Sequence, residues 1–589
     1  MRASSANSHP PGRANVPPPA PVEEVAENGP RRVIAQIVHV LQGRTLWAIM
    51  GLAGLTLGLH HSALTGWWRW DDPDILKYVL EHSPWQYFLV PSAWQEYSTQ
   101  YVTPWQTLSF DIDLALFGLN PQAFYAHHLI ALWVAACLTY LLLRLWADPL
   151  WSGLGAGLFL CSAPVVEVAQ QLSARHYLEG LVFAVLGLNF FLRPLRRDRP
   201  NASWWGGLCY AVAVSAKEVY VPLGVLLPFV PERTLRERWR VAMPFLLVAV
   251  AYIPWRQYLL GIPIGGPGRG VDWWAVLDLP FRARGSLMGK SLLGAASTLV
   301  LLALCGSILW RHSRLLLLAF GGGVSIVGPL VLIAPEVGHT GWSRYLLVAS
   351  WAFCCVVALL LKELGKSGKI GFLSAVGVYS LILGAVLTQG LQLKSALTRS
   401  INEWDTQGRF LWDADDQQAL LASPGVVGYL GPAKSLLWLK QKATGNRQSP
   451  RVLLDEIELT QVDMNRTKVW AYNDTCRCVQ NLSNEVPHIL GEWKGRVFTG
   501  PLSIAMDYSR NMIYWQFGPY KNGVYSVIDS GWVAKMPLLP IGRGRIRSSE
   551  AVFDHHFYLR YDSPEGWTTY SPPLHFSPHH EGSLRWQRS

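Results

Sequence analysis

Residues 122–144 read QAFYAHHLIALWVAACLTYLLLR. A helix rises about 1.5 Å per residue, so crossing a hydrocarbon core of about 30 Å takes about 20 residues. The stretch has that length, carries no acidic residue, and ends on Arg144. Outward from it, apolar runs lie near 45–62, 149–166, 177–194, 203–216, 219–231, 241–261, 286–310, 314–334, 344–362 and 369–391. Together they make about eleven spans on that ruler. The composition of all 589 residues agrees: 50% are hydrophobic, 15% are charged, and mean hydropathy is +0.18. Soluble domains carry charge on about a quarter of their residues. A disordered chain, a coiled coil, a fibrous protein, a small disulfide scaffold and an ordinary cytosolic enzyme are excluded. The expected fold is a polytopic α-helical membrane protein of about 11 transmembrane helices, with a C-terminal extracytoplasmic β-rich domain.

The formal charge of +11 sits in short clusters between the apolar runs. These are Arg144; Arg193, Arg196, Arg197 and Arg199; Arg233, Arg236, Arg238 and Arg240; Arg311 and Arg314; and Lys362, Lys366 and Lys369. With the N-terminus in the cytosol and 203–231 read as two short spans, every cluster falls on the cytosolic side. The charge therefore reads as orientation in a bilayer, and no nucleic-acid partner is expected. Residues 1–40 are expected to be a disordered cytosolic leader, and 41–391 the transmembrane domain. Outside lie a long first loop, 63–121, and a Gly-rich loop near 262–285. Residues 392–425 should form an amphipathic helical connector and 426–589 the β-rich domain, with hairpin signals at MIYWQF-GPYKNG-VYSVI and HFYLRY-DSPEG-WTTYS. The first span is the only secretory signal, which favours a bacterial inner membrane. Six of the eight cysteines lie in apolar runs as small hydrophobes. For Cys476 and Cys478, a local disulfide and an unremarkable thiol pair both fit.

The chemistry concentrates outside. Trp67-Trp68-Arg69-Trp70-Asp71-Asp72-Pro73-Asp74 opens the first loop with three carboxylates in four residues. Adjacent carboxylates repel, which raises the pKa of one and suits it to proton transfer or cation binding. A solvated acidic turn, with an Asp capping the next helix, fits equally well. Glu167, Arg175, Lys217, Glu218, Arg256, Arg344 and Tyr345 lie at the outer ends of later spans. Any one of these cations could simply snorkel. As a set on one face they suit a lipid-phosphate site better than a transporter, whose charges sit at mid-bilayer between repeats. The pairs His127-His128, His555-His556 and His579-His580 read as structural. Asp111 and Asp113 read as the polar face of a loop helix, with Asp111 also a candidate for acceptor binding. Gly265-Gly266-Pro267-Gly268 lacks the Lys-Ser/Thr of a phosphate loop. Sequons begin at Asn465, Asn473 and Asn481.

In order and spacing, these stretches resemble the polytopic C-type glycosyltransferase superfamily (GT-C), with the O-mannosyltransferase-like and TMTC-like branches nearest in pattern. The matching stretches are Trp70-Asp71-Asp72-Pro73, Thr103-Pro104 through Phe117-Gly118-Leu119-Asn120-Pro121, Pro164 to Glu167 with Arg175, Ser215 to Glu218, and Arg344-Tyr345. They cover about residues 45 to 390, not the tail. The chain departs from the pattern at Thr103, at Tyr125, His128 and Leu132, and at Arg175-His176-Tyr177.

The resemblance implies a transferase that uses a polyprenyl-phosphate-linked sugar on the extracytoplasmic face and inverts the anomeric centre. Asp72, or its neighbour Asp71, would be the general base. Arg344, Lys217, Arg175 and Arg256 would hold the donor phosphate. Asp74, Asp111, Glu167, Glu218 and Tyr345 would bind the acceptor or support the site. The acceptor would be a glycan, lipid or protein, and membrane lipids would surround the spans. A divalent ion bridging Asp71 and Asp72 suits hard oxygen ligands, although nothing in the sequence requires one. The rival readings are a lipid or solute transporter, and an inactive relative that binds glycans or proteins as a scaffold.

Overall fold

The computed structural model describes residues 44–98, 100–197, 203–230, 232–262, 272–309, 328–335, 337, 341–423, 432–445, 448–509, 512–529, 534–545, 555–577 and 582–589. The leader, the glycines at 265–268 and most of the expected 314–334 span lie outside these. Contacts divide the chain at Ile49–Met50, so that the remaining apolar helices and the C-terminal strands share one unit.

Helices cover every other expected span, and their ends follow local chemistry. Asn120 accepts from Ala123 N–H at the start of Pro121–Leu143, with Pro at the first position. Asp148 does the same for Pro149–Cys161, and Thr234 with Glu237 forms a capping box before Leu235–Leu260. Among the described residues, four helices are long and apolar enough to cross a membrane: Pro121–Leu143, Leu235–Leu260, Ser343–Gly365 and Gly368–Asp413. Two bent pairs would raise that number to six among the described residues. Within the described residues Arg44–His60 covers 17 residues and Ser203–Ala216 covers 14, and Arg175–Arg197 ends in a basic cluster.

The bends have covalent causes. Pro149–Cys161 and Ala163–Ala169 meet at 60°, because Ser162 is extended and Pro164 starts a new helix. Trp273–Met288 meets the next helix at 114° across Gly289, whose φ of +77° favours glycine. Part of the expected outside loop at 262–285 is therefore helical: Asp272 caps it, accepting from Trp274 and Ala275 N–H. The largest departure is the last helix, Gly368–Asp413, which runs 46 residues without a break. At about 1.5 Å per residue, its final 22 residues reach about 33 Å past the expected span.

Among the described residues, the tail holds three sheets. β1 (Gln418–Leu421), β2 (Arg451–Leu453), β3 (Lys468–Asn473) and β4 (Cys478–Asn481) take the order β2-β1-β3-β4, with β1 parallel to both neighbours. Helices Pro432–Thr444 and Val486–Arg496 accompany this sheet, a mixed α/β unit that alternation did not foresee. Cys476 and Cys478 form a disulfide at the β3–β4 turn.

The other two sheets face each other. One contains β5 (Leu502–Ser509), β6 (Met512–Gly518), β9 (Ile541–Arg545) and β13 (Gly582–Arg588). The second contains β7 (Val524–Asp529), β8 (Ala534–Leu538), β10 (His555–Asp562), β11 (Thr568–Tyr570) and β12 (Leu574–Phe576). Leu502, Ile504, Phe517, Tyr525, Leu559 and Phe576 are among the residues filling the space between. The hairpin expected at 556–571 forms, pairing β10 with β11. The one expected at 512–528 does not. The link after β6 crosses to the other sheet, so Phe517 and Tyr525 meet face to core at 5.6 Å.

Candidate active site

The acidic turn starts the helix Asp72–Glu81, where Pro73 suits a first turn whose N–H groups lack helical partners. Asp71 holds the N-cap position but makes no side-chain cap bond. Before it, Trp70 has φ +48°, a left-handed conformation that costs a bulky residue about 1–2 kcal/mol. Strain of this kind persists only where neighbours enforce it, and it clusters at functional sites.

Asp71 and Asp72 differ sharply. Asp71 is exposed, whereas Asp72 is fully buried. Arg69 N–H donates to Asp72 Oδ2 at 2.9 Å, and the other oxygen is buried with no hydrogen-bond partner among the described residues. Burial pushes the Asp72 carboxyl up to about 8, and the charge of Asp71 adds to the rise. Asp72 thus holds its proton at neutral pH and is closed off from an acceptor. Expected first as the base, it is placed behind the turn. A metal bridging the pair does not fit, since one carboxylate is open and the other enclosed. Among the described residues, no group of three or more His, Cys, Asp or Glu could hold an ion.

The expected cations divide in the same way. Arg256, Arg344 and Glu218 all act electrostatically on Lys217, and Arg256 lies beside Glu218. Asp71 acts on Arg344 and Tyr345, which joins the exposed carboxylate to this cluster. Lys217 has its ammonium 4.2 Å from the Tyr101 ring centre and 5.3 Å from that of Tyr177, and it makes no ion pair among the described residues. Burial draws it below the usual lysine range. Arg256 donates to Gln100 O at 2.7 Å and lies 3.6 Å from Glu218. Among the described residues, Arg256 Nε, Glu218 Oε2 and His176 Nδ1 are buried without hydrogen-bond partners. Arg344 stacks over Trp342 and Tyr345, donates to Gln171 at 3.2 Å, and stays partly open. Glu167 supports it from 3.5 Å and accepts Ser343 N–H at 3.0 Å.

Arg175 stands apart. It is fully buried, 2.6 Å from Asp113 and 3.6 Å from Glu179, and it donates to Ser109 and to Phe124 O. Its Nη1 and Nη2 join helices, while Nε is buried without a hydrogen-bond partner among the described residues, and the whole side chain is enclosed. His127, expected to be structural, completes this network at 2.7 Å from Asp113. Asp74 accepts from Ser435 of the tail, and Asp111 accepts from Tyr87 at 3.3 Å.

Sequence reasoning missed Arg69 and Asp405, which form a bidentate pair at 2.6 and 2.7 Å. The available signal was the helical spacing of Trp404, Gly408 and Trp412, which gives the connector one aromatic face.

No known family matches the chain, and no curated protein does. Solved structures similar to the chain include the following two. ArnT from Cupriavidus metallidurans, in the apo state, is 13% identical over 75% of this chain and 94% of its own, with a TM-score of 0.38. An Archaeoglobus fulgidus oligosaccharyltransferase, tethered to an acceptor peptide, is 11% identical over 82% of this chain and 75% of its own, with a TM-score of 0.35. At scores and identities this low, neither likeness assigns a role to any residue here.

Proposed function

We propose that the chain is an integral membrane glycosyltransferase moving a sugar from a polyprenyl-phosphate-linked donor to an acceptor outside the cytosol. In this reading about eleven spans cross a bacterial inner membrane, with the N-terminus cytosolic and the tail outside. The observation that carries it is the exposed Asp71 within electrostatic reach of Arg344, which itself acts on Lys217 beside Arg256. An exposed carboxylate at the edge of a cation cluster matches a displacement in which a hydroxyl loses a proton and a phosphate departs with negative charge.

Asp71 takes the acceptor hydroxyl proton while the oxygen attacks the anomeric carbon from the face opposite the phosphate. The carbon–oxygen bond to phosphate breaks, its electron pair leaves with the phosphate, and the centre inverts. Lys217 and Arg344 receive that charge, with Arg256 behind them; the planar fork of Arg suits phosphate oxygens. The open hydrogen-bonding positions on Arg256, Glu218 and His176 support a polar ligand at this place. Sugar and acceptor are left general, and the O-mannosyltransferase-like branch rests on the sequence motifs alone.

The test compares envelope glycans and carrier-linked sugars by mass spectrometry in wild-type, deletion and substituted strains. Asp71→Asn should lower transfer by about 10²- to 10⁴-fold, the usual share of a general base, with protein level unchanged. Arg344→Gln should reduce transfer and let the loaded carrier accumulate. A wild-type glycan profile in the Asp71→Asn strain would remove Asp71 from the role.

A further inference from the structure

We propose that Asp405, on the helix beyond the last span, is a positioning residue for Asp71, so that the exported tail completes the active site within one chain. The inference rests on reading Asp71 as the base.

The geometry is direct. Arg69 donates from Nε to Asp405 Oδ1 at 2.6 Å and from Nη2 to Oδ2 at 2.7 Å. Its third nitrogen, Nη1, donates to Gln170 O at 2.9 Å, and the guanidinium packs against the Tyr125 ring. The Arg69 side chain is 2% exposed and that of Asp405 18%. An arginine buried this deeply without its carboxylate would be strongly unfavourable, so the pair fixes where Arg69 lies. Arg69 in turn fixes the acidic turn through its own backbone. Its N–H binds Asp72 Oδ2, and its carbonyl accepts Asp72 N–H at 2.9 Å.

The neighbours of Asp405 grip the same segment. Trp404 lies against Trp70, the residue held at φ +48°. Trp412 meets Trp67 edge-on at 6.0 Å, and Arg409 stacks on Trp67 and donates to Thr65 O. Gly408 allows this approach, since a Cβ there would come within 3.0 Å of the Trp67 ring. Residues 404, 405, 408, 409 and 412 share one helix face. From the far side, Ser435 bonds to Asp74. Trp70 is thus kept in its strained conformation by residues about 335 positions away in sequence, and Asp71 follows it.

The test uses the purified full-length protein. Wild type is compared with Asp405→Asn, Asp405→Glu, Asp71→Asn, and a pair replacement, Arg69→Met with Asp405→Leu, that removes both charges without leaving one buried alone. Hydrogen exchange over residues 66–76 and transfer kinetics are both read. Asp405→Asn should speed exchange there by about tenfold while leaving the sandwich strands unchanged. It should lower kcat by about 10- to 100-fold with donor KM within about twofold, as expected for a base displaced by about 1 Å. Asp405→Glu should restore part of the rate. The pair replacement should melt like wild type yet transfer slowly. Wild-type exchange over 66–76 in Asp405→Asn, or full transfer by the pair replacement, would overturn the proposal. Transfer at wild-type rate by Asp71→Asn would overturn the reading of the base instead, and exchange would still decide whether Asp405 holds the turn.

Discussion

At the scale of single residues, Asp71 and Asp72 show what adjacency conceals. Successive side chains in a helical turn point about 100° apart, so neighbouring carboxylates face different surroundings. One is exposed and acts on Arg344, while the other is enclosed and accepts from Arg69 N–H. The difference has a signature in pH. Asp72 titrates near 8 when folded and near 4 when unfolded, so the native state binds its proton more tightly. The stability this contributes is present at low pH and is lost as pH rises through that window. Wild type should therefore lose melting temperature relative to Asp72→Asn between about pH 5 and pH 8. Parallel melting curves across that range would show that Asp72 is solvated. The sequence placed both residues in the right loop; only burial distinguishes them.

At the scale of elements, the helix starts were legible, because Asn120, Asp148 and Pro164 act on their own backbones. The link from β6 to β7 was not, since a turn signal cannot say which sheet the next strand joins. Asp455 illustrates coupling between elements. It caps the short helix Glu456–Leu459, and its buried carboxylate meets Lys535 of β8 at 2.7 Å, Arg560 of β10, and the Tyr570 hydroxyl of β11 at 2.8 Å. Burial opposes its charge, but Lys535 and Arg560 outweigh that and hold it below the usual carboxylate range. Removing it takes from Lys535 its carboxylate at 2.7 Å and leaves Arg560 with Glu456 and Asp562, at up to about 3–5 kcal/mol. Asp455→Asn should accelerate hydrogen exchange in β7 and β10 at neutral pH. The wild-type advantage should vanish as pH falls below about 4, through its lowered pKa. Equal exchange in the two proteins at neutral pH would mean the cluster contributes nothing.

At the scale of the molecule, the last helix joins the apolar region to the tail without a flexible link. Its far end supplies Trp404 and Asp405 to the acidic turn, and Pro432–Thr444 supplies Ser435. The tail and the first loop must then lie on the same side of the membrane. A cysteine introduced as Asp463→Cys, at a side chain 57% exposed, should react with an impermeant maleimide added to intact cells whose outer membrane is made permeable. Labelling only after lysis would place the tail, and with it the acidic turn, in the cytosol.

The amino-acid sequence by itself determined the helical character, the basic clusters, the acidic turn and the strand-rich tail. Each of these follows from hydrophobic periodicity, charge or capping over a few neighbouring residues. Tertiary structure decided which groups meet. It set Asp71 rather than Asp72 in the open, engaged Arg175 with Asp113, and joined Arg69 to Asp405 across 336 positions. Such pairings depend on desolvation and on distances closed by packing, neither of which is encoded in local spacing.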